Sequence, residues 1–380
     1  MLDAYSDQEL RFDRAFGVLE KAIQERVFPG ASVAIAQDGK LLALKAVGRF
    51  TYDPADSLVS PGTIFDLASV TKVVATTAMA MLLYQRGQLD LDQHVEAVIP
   101  DFADVKDAGF KDSEEARRRK RVTLRMLLLH SSGLPAYERL FERADNREEL
   151  LRLAMRVPLT AEPGTRVEYS DIGFIVLGEV LEQLAGEGLK SFTKREIFGP
   201  LGMTSTYFTP PAALRAEIPP TVEDVTFRHR VVQGEVHDEN AWVMGGVSGH
   251  AGLFSTARDV ARLAEAVLGA EYGFQPPSFN PTIFHPETVR LFTQEVEIGG
   301  GRHALGWDVP TPPSQAGRRL SAPGCHAFGH LGYTGTSLWI DPGRKLSITL
   351  LTNRTWPRRE SQGIKIVRPE FHDEVVETFP

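Results

Sequence analysis

The sequence contains one cysteine, Cys325, among its 380 residues. A single thiol excludes an intrachain disulfide, and it cannot supply the several thiolates that hold a structural metal ion. The low cysteine content is consistent with a reducing compartment, where thiols stay reduced and disulfides are rare.

Long hydrophobic runs are also missing. No segment reaches the roughly 18 apolar residues that span a bilayer, and the apolar stretch after Lys72 is short and begins with a charge. The first 23 residues carry charges throughout, unlike a signal peptide, and they predict an amphipathic helix instead. Its predicted apolar side consists of Leu10, Phe12, Phe16, Leu19 and Ile23. If the sequence is the full gene product, we expect a cytoplasmic protein; a trimmed secreted protein would look the same.

Positive charge is in the minority. The 42 Lys and Arg residues face 50 Asp and Glu residues, which gives a formal net charge of -8. This balance repels nucleic acid and anionic membrane surfaces, so we expect neither as a partner. The one basic run, residues 111–121, mixes both signs without aromatic residues, and we interpret it as a solvated helix or loop.

Two common catalytic signatures are absent. The four histidines from His285 to His330 do not form a His-Glu-x-x-His pattern, so the sequence offers no zinc site of that type. The nucleophile elbow Gly-x-Ser-x-Gly is missing too, because the closest stretch, "GVSGH", ends in His250. We interpret residues 245–252 either as a glycine-rich loop that lines a cleft or as a connector before a helix starting near Ala257.

The secondary-structure signals predict an α+β fold. Strand-like runs flank Asp38-Gly39, and a second pair flanks "PGRK" near the C-terminus, so two hairpins are expected, the second followed by a helix from Arg368. The middle of the chain has helical periodicity in "LRMLLLH", "DIGFIVLGEVLEQLAG" and "TARDVARLAEAVLG".

Strands at both ends of the chain predict a discontinuous architecture. We expect residues 1–66 and 287–380 to form an antiparallel sheet flanked by helices, and residues 67–286 to form a mostly helical subdomain. At 380 residues, the chain exceeds the roughly 250–300 at which single cores stop growing. The active site is expected in the cleft between the two parts.

The segment "FDLASVTK" carries the strongest chemical signal. If a helix begins near Ala68, Ser69 and Lys72 lie one turn apart on the same face. The apolar residues around Lys72 predict burial, and burial together with the positive end of the helix dipole disfavours the ammonium form. An uncharged amine at this place can act as a base for the Ser69 hydroxyl. A second copy of the pattern, Ser191 to Lys194, has charged neighbours and predicts a solvated, inactive lysine.

Two further segments complete a candidate site. Tyr169 precedes a predicted helix cap, Ser170, and could share a proton with Lys72 if folding brings them together. In "FGHLGYTGTSLWIDP", glycines permit close approach of another backbone, the Tyr333 N–H is a candidate oxyanion donor, and His330 is predicted beside the substrate. Taken alone, Tyr169 also fits a half-buried aromatic residue and His330 an ordinary loop histidine.

At these three places the sequence resembles the serine β-lactamase and penicillin-binding-protein superfamily, especially class C β-lactamases, D,D-peptidases, D-aminopeptidases and β-lactamase-fold esterases. Ser69 to Lys72 matches the Ser-x-x-Lys motif. Tyr169 to Asp171 matches Tyr-x-Asn with Asp in place of Asn, and His330 to Gly332 falls where Lys-Thr-Gly is expected, with His in place of Lys. The flanking stretches "LLLHSSGLP", "SGHAGLFSTARDVARLA" and "NRTWP" also resemble the family, and the resemblance covers essentially the whole chain.

The resemblance implies a β-lactamase/transpeptidase-like fold and an acyl-enzyme mechanism without a metal or organic cofactor. Ser69 would attack an ester or amide carbonyl of a small-molecule or peptide substrate, with Lys72 and Tyr169 moving its proton. The N–H groups of Ser69 and Tyr333 would hold the oxyanion. The implied substrate-binding residues are His330, Gly332 and Asp171.

The departures from the family motifs shape the predicted function. A mostly neutral His330 and a negative Asp171 are expected to weaken attraction for an anionic penicillin. We therefore expect an esterase or D-peptidase-like hydrolase with weak or no β-lactamase activity. Two alternatives stay open: a penicillin-binding sensor of the same fold that does not turn over, and a true class C-like β-lactamase.

Overall fold

The computed structural model describes residues 1–103, 114–272 and 283–379. The strands of this part of the chain are β1 (Leu2–Asp3), β2 (Gly30–Gln37), β3 (Lys40–Gly48), β4 (Phe65–Asp66), β5 (Tyr207–Phe208), β6 (Val222–Asp224), β7 (Arg230–Val232), β8 (Leu253–Ser255), β9 (Val296–Ile298), β10 (Gly301–His303), β11 (Phe328–Leu331), β12 (Ser337–Asp341) and β13 (Leu346–Thr352).

The α-helices in the same residues are α1 (Gln8–Arg11), α2 (Asp13–Gln24), α3 (Ala78–Gln85), α4 (Val95–Val98), α5 (Glu114–Arg119), α6 (Leu124–Leu128), α7 (Arg147–Ala154), α8 (Asp171–Ala185), α9 (Leu189–Thr193), α10 (Glu239–Val243), α11 (Ala257–Tyr272), α12 (Pro286–Thr293) and α13 (Ile364–Glu377). Short 3-10 turns cover Ala68–Val70, Pro100–Phe102, Leu140–Glu142 and Ala212–Glu217, and π-helical turns cover Lys72–Thr77 and Lys194–Phe198. None of the helices in the described ranges is long and apolar enough to cross a membrane.

Six strands form the main sheet, in the order β1-β3-β2-β13-β12-β11. Neighbouring strands are antiparallel except for the short β1, which runs parallel to β3. Strand β2, from the first tenth of the chain, pairs with β13 from the last tenth. The predicted α+β class is therefore confirmed, and the sheet joins the two ends of the chain as expected.

Strand β2 is covered on both faces. Ala34 and Ala36 contribute to the core that also contains buried residues of α3, α8 and α11. Val33 and Ile35 point to the opposite face and pack with buried residues of α2 and α13. Because successive side chains of a strand alternate between faces, a strand covered by helices on both sides needs a continuous apolar run.

Both predicted hairpins are present. In the first, Asp38 and Gly39 have φ values of +50° and +77°, the left-handed conformations that a two-residue hairpin turn with the correct twist requires. In the second, β12 and β13 are joined by residues 342–345. The C-terminal helix α13 begins at Ile364, four positions before the predicted start at Arg368.

The N-terminal segment departs from the single helix that the sequence predicts. Helix α1 ends at Arg11 and α2 begins at Asp13, with an irregular residue, Phe12, between them. Phe16 is buried as expected, whereas Leu10 is 87% exposed. The prediction for Leu10 was wrong because the interruption takes α1 out of phase with the apolar face of α2.

The basic run of residues 111–121 is also less exposed than expected. Residues 111–113 lie outside the described part of the chain, and α5 follows them. Arg119 is fully buried, forms an ion pair with Glu115 at 2.9 Å, and donates hydrogen bonds to the Phe102 and Met155 carbonyl oxygens at 3.2 and 2.7 Å. For Arg119 the prediction of a solvated position was wrong, since three carbonyl oxygens and a carboxylate replace water around it.

The division into a sheet subdomain and a helical subdomain at residues 66 and 286 stays a prediction. Helix α11, which falls before residue 286, packs against β2 and β13 of the main sheet. It therefore covers one face of that sheet although its sequence position places it in the predicted helical part. The end of the sheet at β11 and the turn after β4 come together, and the candidate site lies at this junction.

Candidate active site

Ser69 lies in a strained turn. Strand β4 ends at Asp66, and the 3-10 turn Ala68–Val70 follows it. Ala68 has a φ of +46°, a left-handed conformation that is costly for a residue with a Cβ atom. The Asp66 carboxylate stabilises the turn, because Oδ1 accepts the Ala68 N–H at 2.8 Å and Oδ2 accepts the His237 N–H at 2.6 Å. Ser69 is thereby presented, half-buried, in the wall of a cleft.

Lys72 contacts Ser69 from the protein side. Its side chain is completely buried, and Nζ donates hydrogen bonds to Ser69 Oγ at 3.0 Å, Asp171 Oδ1 at 2.6 Å and the His250 carbonyl oxygen at 3.0 Å. The sequence predicted the burial and the approach to Ser69, but it did not predict the carboxylate. Asp171 forms an ion pair with Lys72, and the carboxylate replaces part of the water that burial removes from the Lys72 side chain.

Tyr169 completes the group around Ser69. Its hydroxyl lies 2.8 Å from Ser69 Oγ and 3.0 Å from Asp171 Oδ1. Ser170 caps α8 by accepting the Gly173 N–H at 2.9 Å, which fixes the positions of Tyr169 and Asp171 at the helix start. Tyr169 is 36% exposed, and partial desolvation, reinforced by the Asp171 carboxylate, raises its pKa well above the ordinary value of 10. Tyr169 is therefore a neutral phenol at neutral pH.

The two predicted oxyanion donors are both available. The N–H groups of Ser69 and Tyr333 have no acceptor among the residues that the structure describes, and both residues line the cleft. Unpaired N–H groups on a cleft wall are what a developing oxyanion requires.

Close backbone packing sets the separation of these donors. Thr334 and Thr336, on the connection between β11 and β12, donate hydroxyl hydrogen bonds of 2.8 Å to the carbonyl oxygens of Asp66 and Leu67, respectively. A Cβ atom on Gly332 would lie 1.9 Å from Thr336 Oγ1 and 2.5 Å from the Leu67 oxygen. Glycine at 332 therefore permits the close approach that the sequence predicted. It allows the β11–β12 connection to contact the backbone just before Ser69.

The prediction for His330 needs correction. Its ring is 1% exposed, Nδ1 lies 2.7 Å from the Leu331 carbonyl oxygen, and Nε2 is buried without a partner among the described residues. The ring faces Tyr169, with the centroids 5.9 Å apart, rather than the cleft. The alternation of β11 explains the difference, because the strand directs this side chain inward. Burial lowers the pKa of His330, so it supplies no cation at neutral pH.

His130 supports Tyr169 from behind and was not singled out by sequence reasoning. Its ring packs against Tyr169 at a centroid distance of 4.8 Å and an angle of 38°, and Nδ1 accepts the Ser170 N–H at 3.0 Å. Burial lowers the pKa of His130 well below 6.5, so the ring stays neutral. Only the family-like stretch "LLLHSSGLP" contained a signal for this residue.

The glycine-rich loop of residues 245–252 holds Lys72 from the other side. Gly249 contributes its carbonyl oxygen, which accepts the Thr76 hydroxyl at 2.6 Å, and the next carbonyl oxygen accepts Lys72. The His250 ring pairs with Asp238 through Nε2 at 2.8 Å. His250 and Ala251 line the cleft, as the first interpretation of this loop predicted.

The cleft has a volume of about 580 Å³ and a positive end. Arg354, Lys365 and Arg368 line it, and none of them pairs with a carboxylate within residues 1–103, 114–272 and 283–379. Arg354 donates to the Tyr333 carbonyl oxygen at 2.7 Å, and Arg368 donates to the Gly332 oxygen at 2.6 Å. Burial, and then the neighbouring Arg354, lower the pKa of Arg368 to about 9, which leaves it cationic at neutral pH.

The acidic residues of the cleft are already paired. Asp238 bonds to His250, and Glu239 forms an ion pair with Arg359 at 2.9 Å. The cations of this end, Arg354, Arg359, Lys365 and Arg368, outnumber Asp238 and Glu239, so its net charge is positive. A second cavity of about 640 Å³ surrounds Cys325 and Arg344 and does not include Ser69.

Two other sequence patterns do not contribute to the site. Ser191 and Lys194, the second Ser-x-x-Lys copy, are both exposed, as predicted from their charged neighbours. Across the described residues, no cluster of three or more His, Cys, Asp or Glu side chains could hold a metal ion.

Comparison with known proteins points in the same direction as the geometry. The family described as Beta-lactamase matches residues 17–368. The chain is 33% identical over 356 residues to an N-acetylmuramyl-L-alanine amidase of Bacillus subtilis, which covers 86% of this chain and 77% of the relative. It is 32% identical over 358 residues to a putative D-alanyl-D-alanine carboxypeptidase of Escherichia coli, with coverage of 86% and 79%.

A solved structure shows the same fold at lower identity. The penicillin-binding protein homologue of Caulobacter crescentus superposes with a TM-score of 0.74 at 18% sequence identity, covering 97% of this chain and 98% of that one. At this identity the similarity bears on the fold alone.

Proposed function

Because the chain belongs to the beta-lactamase family and is a serine hydrolase, we propose that it cleaves an ester or amide bond through an acyl-enzyme on Ser69. Within that class we propose a D-peptidase-like or esterase activity with weak or no β-lactamase activity. The substrate is a small ester, amide or peptide.

One observation carries the proposal. Ser69 Oγ is 3.0 Å from Lys72 Nζ and 2.8 Å from the Tyr169 hydroxyl, on the wall of a cleft with room for a ligand. A hydroxyl in contact with two groups that exchange protons is the arrangement that nucleophilic acyl transfer needs.

The reaction follows from this arrangement in two halves. Ser69 Oγ attacks the carbonyl carbon while its proton passes to the group formed by Lys72, Tyr169 and Asp171. The N–H groups of Ser69 and Tyr333 stabilise the oxyanion, and the stored proton then goes to the leaving alcohol or amine. Water repeats the sequence on the acyl-enzyme, and the departing Ser69 oxygen takes a proton back.

The charges of the cleft support a substrate with a carboxylate near the scissile bond. Arg354, Lys365 and Arg368 line the cleft, and none of them forms an ion pair with an acidic side chain of the described residues. The negative charge of Asp171, which we expected to repel anionic substrates, is matched by Lys72 at 2.6 Å. Asp171 is therefore not expected to weaken the binding of an anionic substrate such as a penicillin. The relatives named as a carboxypeptidase and an amidase agree with a peptide substrate.

Weak β-lactamase activity remains the expectation because His330 is buried and neutral where the family motif has a lysine. The positive charge of the cleft comes instead from Lys365 and Arg368 on α13 and from Arg354 in the segment before this helix.

A substrate panel tests the proposal. We expect wild-type protein to hydrolyse a p-nitrophenyl short-chain ester or a D-alanyl-D-alanine-terminated peptide with a higher kcat/KM than nitrocefin. Ser69→Ala should abolish hydrolysis, whereas Ser191→Ala, in the exposed copy of the motif, should retain the wild-type rate. Faster turnover of nitrocefin would indicate a β-lactamase, and acylation without turnover of any substrate would indicate a sensor.

A further inference from the structure

The hydrogen bonds around Ser69 form a closed ring, and the member of this ring opposite Ser69 Oγ is one carboxylate oxygen. Lys72 Nζ and the Tyr169 hydroxyl both contact Ser69 Oγ, at 3.0 and 2.8 Å. The same two groups both contact Asp171 Oδ1, at 2.6 and 3.0 Å. Either path away from the nucleophile therefore reaches Asp171 after one intermediate group.

We propose that the Asp171 carboxylate is the terminal acceptor of the Ser69 proton during acylation, with Tyr169 or Lys72 as the relay. This inference rests on the proposed function, since it assigns a positioning and proton-storing role within acyl transfer by Ser69. It departs from the expectation that Asp171 contacts the substrate.

The donor count at Lys72 supports this role. The ammonium group uses its three hydrogens on Ser69, Asp171 and the His250 carbonyl oxygen, so it has no lone pair with which to accept a proton. It becomes an acceptor for Ser69 only after it gives up a proton, and the Asp171 oxygen at 2.6 Å is the anionic acceptor in contact with it.

The hydrogen of Tyr169 leads to the same conclusion. A phenol has one hydrogen, so its hydroxyl donates to either Ser69 or Asp171 at a given moment. When the hydrogen lies toward Asp171, the phenol oxygen is free to accept the Ser69 hydrogen across the 2.8 Å contact. This is the arrangement that is ready for attack.

The proton transfers balance on both routes. On the first, the Ser69 O–H bond breaks as an O–H bond forms on Tyr169, and the original Tyr169 O–H bond breaks as one forms on Asp171. On the second, Lys72 takes the Ser69 proton as it passes one of its own to Asp171. In both cases the Ser69 electron pair forms the bond to the carbonyl carbon, and the protonated Asp171 later returns its proton to the leaving group by the reverse path.

The carboxylate also removes the need for a free phenolate. Burial and the Asp171 charge raise the pKa of Tyr169, so an isolated Tyr169 anion next to Asp171 would be costly. In the relay, Tyr169 gains one proton as it loses another and never carries the negative charge by itself. The negative charge of the site moves from Asp171 to the oxyanion, where two N–H groups receive it.

Other titratable groups lie around this hydrogen-bonded ring. Because every variant contains the same groups, they do not account for a difference between two variants at the same pH. These groups are Asp66, His130, Tyr137, Asp238, His250, His303, Asp308 and His330. Burial keeps His130 and His330 neutral by lowering the pKa of each, and it keeps Tyr137 neutral by raising its pKa.

The test compares single-turnover acylation of Asp171→Asn and wild-type protein by a p-nitrophenyl ester across the pH range. We expect Asp171→Asn to lower the acylation rate constant about 10²- to 10³-fold at neutral pH, the scale of a lost acid–base group. Asp171→Glu, which keeps the charge, should recover part of the neutral-pH rate. An unchanged rate in Asp171→Asn, or an Asp171→Glu rate no higher than that of Asp171→Asn, would overturn the proposal.

Two controls separate the outcomes. Asp92→Asn breaks an exposed ion pair with Arg125 and should leave the pH profile unchanged. If Ser69→Ala is still acylated, the proposed function fails; if only Asp171→Asn behaves as wild type, this inference alone fails. A proton inventory on the wild-type protein needs no variant: two protons moving together give a curved dependence of the acylation rate on the deuterium fraction, and a straight line would contradict the relay.

Discussion

Lys72 Nζ and Asp171 Oδ1 lie 2.6 Å apart although 99 positions separate them in the chain. The contact joins the turn that carries Ser69 to the first residue of α8. The side chains of Lys72 and Asp171 are 0% and 17% exposed, so each depends on the other for the interactions that water would otherwise provide. The ion pair therefore connects the Ser69 turn to α8, and in the proposed relay it is also part of the path of the Ser69 proton.

Asp171→Ala should destabilise the fold strongly. It leaves the buried Lys72 ammonium without its counter-charge, and breaking a buried pair from one side costs about 3–5 kcal/mol. Urea unfolding measures the change in the free energy of unfolding. Asp92→Ala is the control, because the exposed pair of Asp92 and Arg125 is expected to contribute about 0–1 kcal/mol. Equal, small losses in the two variants would contradict the account.

Gly332→Ala should lower kcat with little change in KM. The new Cβ atom would lie 1.9 Å from Thr336 Oγ1 and 2.5 Å from the Leu67 carbonyl oxygen, so the β11–β12 connection must move away from the Ser69 turn. Misplacing one oxyanion donor costs about 10²- to 10³-fold. Gly62→Ala, whose nearest neighbour would be Ser60 Oγ at 3.8 Å, should keep the wild-type kcat. Steady-state kinetics decide the matter, and unaltered kcat in Gly332→Ala would refute the prediction.

Asp66 should make stability depend on pH. Burial, partly offset by hydrogen bonds from the Ala68 and His237 N–H groups, raises the pKa of Asp66 from 3.8 to about 6. The folded state therefore binds more protons than the unfolded state between these values. The free energy of unfolding then falls as pH rises from about 4 to 6, by roughly 3 kcal/mol from this group, and the loss persists above pH 6.

Asp66→Asn removes this contribution. The free energy of unfolding of the variant minus that of the wild type should therefore increase between pH 4 and 6. Denaturant titrations at several pH values measure the difference, and parallel curves for the two proteins would contradict the assignment.

Lys365→Ala tests the preference for anionic substrates. Lys365 is exposed, so its removal should not disturb the fold. The ratio of kcat/KM for a carboxylate-terminated peptide to that for its amidated form should fall about tenfold, the effect of roughly 1.4 kcal/mol of lost attraction. Lys194→Ala, on an exposed surface outside the cleft lining, should leave the ratio as in the wild type. A ratio that does not change in Lys365→Ala would place the carboxylate elsewhere.

The fold was predictable where local patterns decide it. Asp38-Gly39 specified a hairpin because few residue pairs tolerate two successive left-handed conformations. The strand-like runs on either side of this pair were likewise recognisable, and they form β2 and β3. The break at Phe12 was not predictable, since the apolar spacing from Leu10 to Ile23 fits one uninterrupted helix.

The sequence predicted the motifs of the site, but it did not predict all of the contacts between their side chains. Ser69, Lys72 and Tyr169 meet because each motif carries its own local signal: the Ser-x-x-Lys spacing, the apolar surroundings and the helix cap at Ser170. The sequence could not show that Asp171 would turn toward Lys72, because that depends on how α8 docks against the Ser69 turn.

The sequence also did not predict that the His330 side chain points into the protein, for a related reason. The facing of a strand residue follows from the register of β11 with β12, and a one-residue change in register reverses it. The positive end of the cleft was hidden as well, since Arg354 and Arg368 come from separate segments that the fold brings together.

The most direct test of the account is to locate the acyl group. Wild-type protein mixed briefly with p-nitrophenyl acetate, quenched in acid and digested should carry a single acetyl group, found by mass spectrometry on the peptide that contains Ser69. Ser191→Ala should be acetylated to the same extent, and Ser69→Ala should not be acetylated. An acetyl group on another residue of the wild type, or one that persists in Ser69→Ala, would contradict the account.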